Sequence, residues 1–161
     1  MIWVFEDGPF SDGSRRFTKQ SRVEFVFVGL DFNLAESASL QELVASYEQR
    51  VSRASTLYEL NRILPQAWRF SHAISLGDYA VVSCNGSALI GKITSPYAMD
   101  IDNLGKTRHY YQIQSVGVIS SANHLPLNLS KLTKSLMGYG EPLDDAATES
   151  TLAGFITTGT D

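Results

Sequence analysis

A single cysteine, Cys84, stands among the 161 residues of this chain. It cannot close an internal disulfide, which fits a reducing compartment. No run of eighteen apolar residues occurs, which excludes an ordinary membrane-spanning helix. The first residues lack the basic-then-apolar pattern of a secretion signal, so a cytoplasmic location with no membrane partner is expected. The three histidines, His72, His109 and His124, lie far apart and show no metal-ligand spacing. Nucleophile-elbow, P-loop and dinucleotide-binding patterns are missing, so neither metal nor cofactor is expected. Cys84 sits beside Asn85-Gly86 with no basic neighbour to make it a thiolate. Asp100 and Asp102 share a loop without the further acids and strand-borne lysine that a nuclease centre uses. No catalytic residue is assigned, and the expectation is a binding domain rather than an enzyme.

Positive charge is missing from the end of the chain. Residues 1–140 hold all 13 Lys and Arg and carry a net charge of +1, whereas residues 141–161 hold five acids and carry −5. Residues 1–142 therefore read as one domain, and residues 143–161, rich in Ala, Thr, Ser and Gly, as an acidic linker or disordered tail. A near-neutral body argues against tight non-specific duplex binding, which needs many phosphate neutralisations, but leaves room for a local basic patch.

What the chain does have is a hairpin signal. Tyr79-Ala80-Val81-Val82 and Ala88-Leu89-Ile90 flank Asn85-Gly86, and Asn-Gly supplies the positive φ angles of a tight turn. Gly91 inside the second run marks a bulge or a barrel corner. Earlier strands are expected at Met1–Glu6 and over Val23–Gly29, the latter apolar enough to be buried on both faces. Ser39 and Glu42 form a capping box before Leu40, Leu43, Val44 and Tyr47 at helical spacing. A further helix is expected from Thr56 to Phe70, with Leu57, Leu60, Ile63, Leu64, Ala67 and Trp68 on one face and a kink at Pro65. Residues 98–106 read as a polar loop and Thr107–Val118 as a strand. A short helix near Ser130–Met137 and an edge strand near Glu141 follow. The fold class is α+β: a small β-barrel of about five or six strands with two or three helices packed on it.

Several features then fall in a particular order: a Trp-led first strand, Val28-Gly29-Leu30-Asp31, Trp68-Arg69-Phe70, Gly77-Asp78, Gly91-Lys92-Ile93, Pro96-Tyr97 and Arg108-His109-Tyr110. This order resembles the N-terminal domain of Mrr-like restriction endonucleases, a PUA-like barrel related to the EVE and YTH readers. The resemblance spans roughly Trp3 to Glu141. It implies a DNA-reading module of a modification-dependent, type IV-like antiviral restriction system, which admits an extruded modified base into an aromatic pocket. Cleavage would belong to a separate nuclease domain or subunit. Residues 7–20 depart from the Gly-rich, Arg-rich loop that the family pattern leads one to expect.

A base-flipping reader needs flat apolar walls and polar groups for the base edge. Trp3, Phe5, Trp68, Tyr97 and Tyr110 are candidates for the walls, with Trp3 and Tyr97 favoured as the sandwich. Asp31 and Asn33 are candidates for the edge, or they simply shape the turn into the helix. Arg15, Arg16, Lys19 and Arg22 gather around Phe17 as a phosphate-contacting loop, and Lys106 and Arg108 form a second cluster. Trp68 on a helix face and the charged loop also admit the plainer roles of core residue and solvated surface. Two alternatives stand beside modified DNA: a protein-interaction or dimerisation barrel in a defence complex, and a reader of modified RNA.

Overall fold

The structure, a computed structural model, describes residues 2–6, 21–84, 87–120 and 141–142. Residues 2, 4–6, 82–84, 87–89, 116–120 and 141–142 enter only through their backbone pairing. The chain divides into two compact units: Met1–Val23, Ser75–Pro96 and Tyr111–Asp161 form the first, and Glu24–Ile74 with Tyr97–Tyr110 the second. The expected helix near residues 130–137, the Asn85-Gly86 turn itself and the tail from residue 143 lie outside the described residues.

The first unit is a sheet built on β1 (Ile2–Glu6), β3 (Tyr79–Cys84), β4 (Ser87–Ile93), β6 (Thr107–Ser120, from Tyr111 onward) and β7 (Glu141–Pro142). Its strand order is β6-β4-β3-β1-β7. β1 runs parallel to β3, with Trp3 opposite Ala80, and the other neighbours are antiparallel. Cys84 pairs with Ser87, so the connection between β3 and β4 has the two-residue length that Asn-Gly favours. The register between β4 and β6 slips between Ile90 and Gly91, where the partners step from Gly117 to Ser115. The extra residue therefore belongs to β6, not to β4. Gly91 marks the position from the opposite side of the bulge. Trp3, Ala80, Val81, Ile90, Ile93, Tyr111 and Ile113 make this unit's core.

The second unit begins in β2 (Arg22–Phe25) and carries β5 (Ala98–Ile101) paired antiparallel with Thr107–Tyr110 of β6. Two helices belong to it, α1 (Leu40–Val51) and α2 (Leu64–His72). Ser39 caps α1 by accepting from the Glu42 amide at 3.2 Å, as the capping box predicts. The reciprocal bond is offset by one residue, because the Glu42 carboxylate accepts from Ala38. Leu43 and Tyr47, one turn apart, are the buried face of α1, and Leu64, Ala67 and Phe70 that of α2.

Three expectations are corrected. β2 spans four residues with alternating burial, and Val28 is 84% exposed, so the apolar run through Gly29 is not buried on both faces. Its end is a turn, in which the Leu30 amide donates to the Phe27 carbonyl. Residues 98–101 form a strand rather than a loop, and only Asp102–Lys106 turn. The helix expected from Thr56 is not a single α-helix. A π-helical turn over Glu59–Ile63 runs directly into α2, and Pro65 lies in the first turn of α2. A π-turn holds more residues than an α-turn and so shifts the phase of the face. Leu57 and Leu60 are exposed in consequence, and Glu59 is buried.

Gly29 is required by the packing of the second unit. Its φ is +96°, and a Cβ there would lie 2.7 Å from Val51 Cγ1 and 2.8 Å from Tyr47 Cε2. Gly29→Ala is expected to cost about 2–3 kcal/mol from strain and overlap together, read as a lower urea midpoint with an unchanged slope.

Candidate functional site

The second unit carries a polar core centred on His109, a fully buried residue of β6. Its Nε2 lies 2.6 Å from the Leu30 carbonyl oxygen, which can only accept, so Nε2 carries a proton. Its Nδ1 lies 2.6 Å from the Tyr97 hydroxyl. That hydroxyl also accepts from the Leu34 amide at 3.1 Å, and its own proton is the one that an unprotonated Nδ1 accepts. A neutral imidazole protonated on Nε2 satisfies all of these partners at once. Burial pushes the His109 pKa down, against the opposing effect of the Leu30 bond. Burial also pushes the Tyr97 hydroxyl up to about 12, so it remains a donor at neutral pH. The Tyr97 and His109 rings lie 5.8 Å apart and nearly parallel, and Phe25 flanks His109 at 6.5 Å.

These bonds fasten the segment after β2 at two points, Leu30 and Leu34. Between them stand Asp31, Phe32 and Asn33. The Asp31 carboxylate is half exposed and lies 3.4 Å from Arg50 of α1, whose guanidinium also sits 5.6 Å from the centre of the Phe32 ring. Asn33 caps a short 3-10 turn, Leu34–Glu36, by accepting from the Ala35 amide at 3.0 Å. The turn-shaping reading of Asn33 is therefore the contact observed. Among the expected site residues, Asp31 and Asn33 stand on this one segment, and Tyr97, from the start of the β5–β6 hairpin, is bonded to it.

The others are distributed differently. Trp3 belongs to the first unit and is 2% exposed; its indole N–H donates to Asp78 at 2.9 Å. Asp78 also accepts from the Ser75 amide, within a Ser75–Asp78 turn that needs Gly77 at φ +89°. Burial disfavours the Asp78 charge, but the bonds from Trp3 and Ser75 outweigh it and hold its pKa below the usual range. Phe5 lies in β1 opposite Val82, and its side chain is outside the described residues. Trp68 is half-buried on α2 and stacks on the exposed His72 ring at 3.6 Å, while His72 Nε2 lies 2.9 Å from the Ser37 carbonyl. Tyr110 is half-buried opposite Ala98.

Of the basic residues, Arg15, Arg16 and Lys19 lie outside the described residues, Arg22 is half-buried at the start of β2, and Lys106 is exposed. Arg108 is largely buried. It donates to Glu24 at 2.8 Å and to Asp102 at 2.9 Å, so its guanidinium bridges two carboxylates within the fold. Asp102 also accepts from the Lys106 and Leu104 amides, and the Lys106 bond, with Arg108, holds its pKa down.

Sequence reasoning missed a second polar knot. Glu59 is 4% exposed and takes a bidentate bond from Arg53, at 2.7 and 3.0 Å, and one from the Tyr47 hydroxyl. It also accepts from the Thr56 amide while its own amide donates to the Thr56 hydroxyl. Thr56-x-x-Glu59 is thus a reciprocal capping box, and that spacing was the signal available in the sequence. The Arg53 guanidinium holds the Glu59 carboxyl far below the usual carboxylate range. Among the described residues no group of three or more His, Cys, Asp or Glu could hold a metal ion, and no helix is long and apolar enough to cross a membrane.

Two predictions follow from this geometry. Arg108→Ala removes the guanidinium that Glu24 and Asp102 share, and is expected to cost about 3 kcal/mol in chemical denaturation. The pH response has a definite sign. An unfolded histidine titrates near about 6.5, whereas folded His109 binds its proton only at lower pH. Its contribution is complete above about pH 6.5 and is lost as pH falls from there toward the lowered folded value. Unfolding free energy should therefore fall on acidification through that window, and the fall should be shallower in His109→Gln.

Comparison of the chain with protein-family models, with curated proteins and with solved structures found no match to any of them.

Proposed function

We propose that this chain is a nucleic-acid-binding module of the PUA-like kind, which reads modified DNA by admitting an extruded base. It acts as the specificity domain of a modification-dependent restriction system rather than as an enzyme. One observation carries the reading. Several motifs of the resemblance hold residues that anchor an α+β frame: Gly77-Asp78 forms the turn before β3, Gly91 borders the bulge, and Tyr97 and His109 join β5 and β6 to the segment after β2. An exposed carboxylate on that segment, Asp31, suits a base edge that presents an amine. With Trp3 2% exposed, its part in such a reader is that of a core residue of the first unit rather than of a surface on which the base stacks.

A second reading, a protein-interaction module, has its own observation. Leu57, Tyr58 and Leu60 are 77, 48 and 39% exposed around the π-turn, an apolar cluster of the sort that partners cover.

Fluorescence polarisation at one moderate salt concentration separates the two. The panel holds short duplexes with methyladenine, methylcytosine, hydroxymethylcytosine, glucosylated cytosine or no modification, and matched RNA. The expected result is tenfold or greater preference, on the order of 1.4 kcal/mol, for one modified duplex. A preference for modified RNA transfers the function to RNA. Binding to none of them, or equal binding to all, overturns the reader.

A further inference from the structure

The geometry points to His109 and Tyr97 as a positioning pair that holds Asp31–Asn33 in the shape of a recognition loop for a base bearing an exocyclic amine. This inference rests on the reading of the chain as a modified-base reader and names the element that does the reading. The two side chains supply three consecutive hydrogen bonds, Leu34 N–H to Tyr97, Tyr97 O–H to His109, and His109 Nε2–H to the Leu30 carbonyl. They bind the chain immediately before Asp31 and immediately after Asn33. Only three residues lie between the two fastened points, so the loop has little freedom left to lose on binding. Asn33 spends its side-chain oxygen on Ala35, which stiffens the far end further.

What this frame holds outward is chemically specific. Asp31 presents a carboxylate that is 54% exposed, with Arg50 on one of its oxygens at 3.4 Å. A carboxylate accepts from an amine and repels a carbonyl, so it distinguishes cytosine-type and adenine-type bases from thymine-type ones. Phe32 is half-buried and lies under the same Arg50 guanidinium that pairs with Asp31. His109 and Tyr97 need not touch the ligand. They are buried or half-buried themselves and act through the backbone they fasten.

The test uses the whole chain and two variants. Tyr97→Phe keeps the ring and removes the hydroxyl, while Asp31→Asn keeps the frame and removes the charge. Hydrogen exchange and the duplex panel are measured on both, with a hydroxymethyluracil duplex added as a modified base lacking the amine. In Tyr97→Phe, amide exchange at Leu34 and its neighbours should speed by tenfold or more while that of the β3–β4 hairpin is unchanged. Its preference for the favoured modified duplex should drop at least tenfold, with the salt dependence of binding unaltered. Asp31→Asn should show the same loss of preference with unchanged exchange, and hydroxymethyluracil should not be favoured by any form. Unchanged exchange at Leu34 in Tyr97→Phe overturns the positioning role. Faster exchange with full preference retained also overturns it, and leaves the modified-base reader standing. A wild-type chain with no preference for any modified duplex overturns the reader itself, and the inference with it.

Discussion

A neutral histidine sealed from water is the constraint around which the second unit is arranged. His109 can be buried only because both ring nitrogens are satisfied, one by a carbonyl and one by a hydroxyl. Leaving either unpaired in that setting would cost about 1–3 kcal/mol. Each partner is in turn committed. The Leu30 carbonyl belongs to the segment leaving β2, and Tyr97 stands at the start of the β5–β6 hairpin. Phe25, Phe70, Leu30 and Leu34 surround this chain of bonds with apolar surface, which strengthens the bonds and makes their loss more costly. Gly29 allows the backbone to approach Tyr47 and Val51 just before the segment is fastened.

The charged groups of the same unit follow the same rule. Arg108, Glu24 and Asp102 form a largely buried triad, and the buried Glu59 and Tyr47 are joined by Arg53, whose side chain is half exposed. Burying such groups rarely adds net stability over apolar substitutes, but breaking one pair leaves a charge stranded. Their use here is to fix geometry: the first joins the β5–β6 turn to β2, and the second closes the link between α1 and the π-turn. A cation that looks available for phosphate when read along the chain is therefore already engaged, as Arg108 shows. The cations remaining for a ligand on this unit's surface include Arg50, which is half exposed and tied loosely to Asp31.

How legible the fold was depends on whether the signal is local. The Asn85-Gly86 hairpin, the Ser39 cap and the strand beginning at Thr107 are all set by neighbours within a few residues, and all appear with the expected boundaries or close to them. The π-turn at Glu59–Ile63 was hidden because the apolar spacing of Leu57, Leu60, Ile63 and Leu64 also suits an α-helix. What changed the phase was the Thr56–Glu59 box with Arg53, a polar preference that hydrophobic periodicity does not register. The β5 strand was hidden for a similar reason. Ala98-Met99-Asp100-Ile101 has little strand character of its own and is a strand because Thr107–Tyr110 pairs with it.

For the site the division is sharper. The sequence by itself determined which residue types are available and which short spans carry them: the Gly29–Asn33 turn, Pro96-Tyr97, and Arg108-His109-Tyr110. It could not tell which of these polar groups face one another. His109 and Leu30 are 79 positions apart, and His109 and Tyr97 are 12 apart. Hydrogen bonds act over about 3 Å and along fixed directions, so they leave no periodic trace in the chain. Only the folded arrangement decided that Tyr97 spends its hydroxyl inward, that Arg108 is held by carboxylates, and that Asp31 is left facing outward.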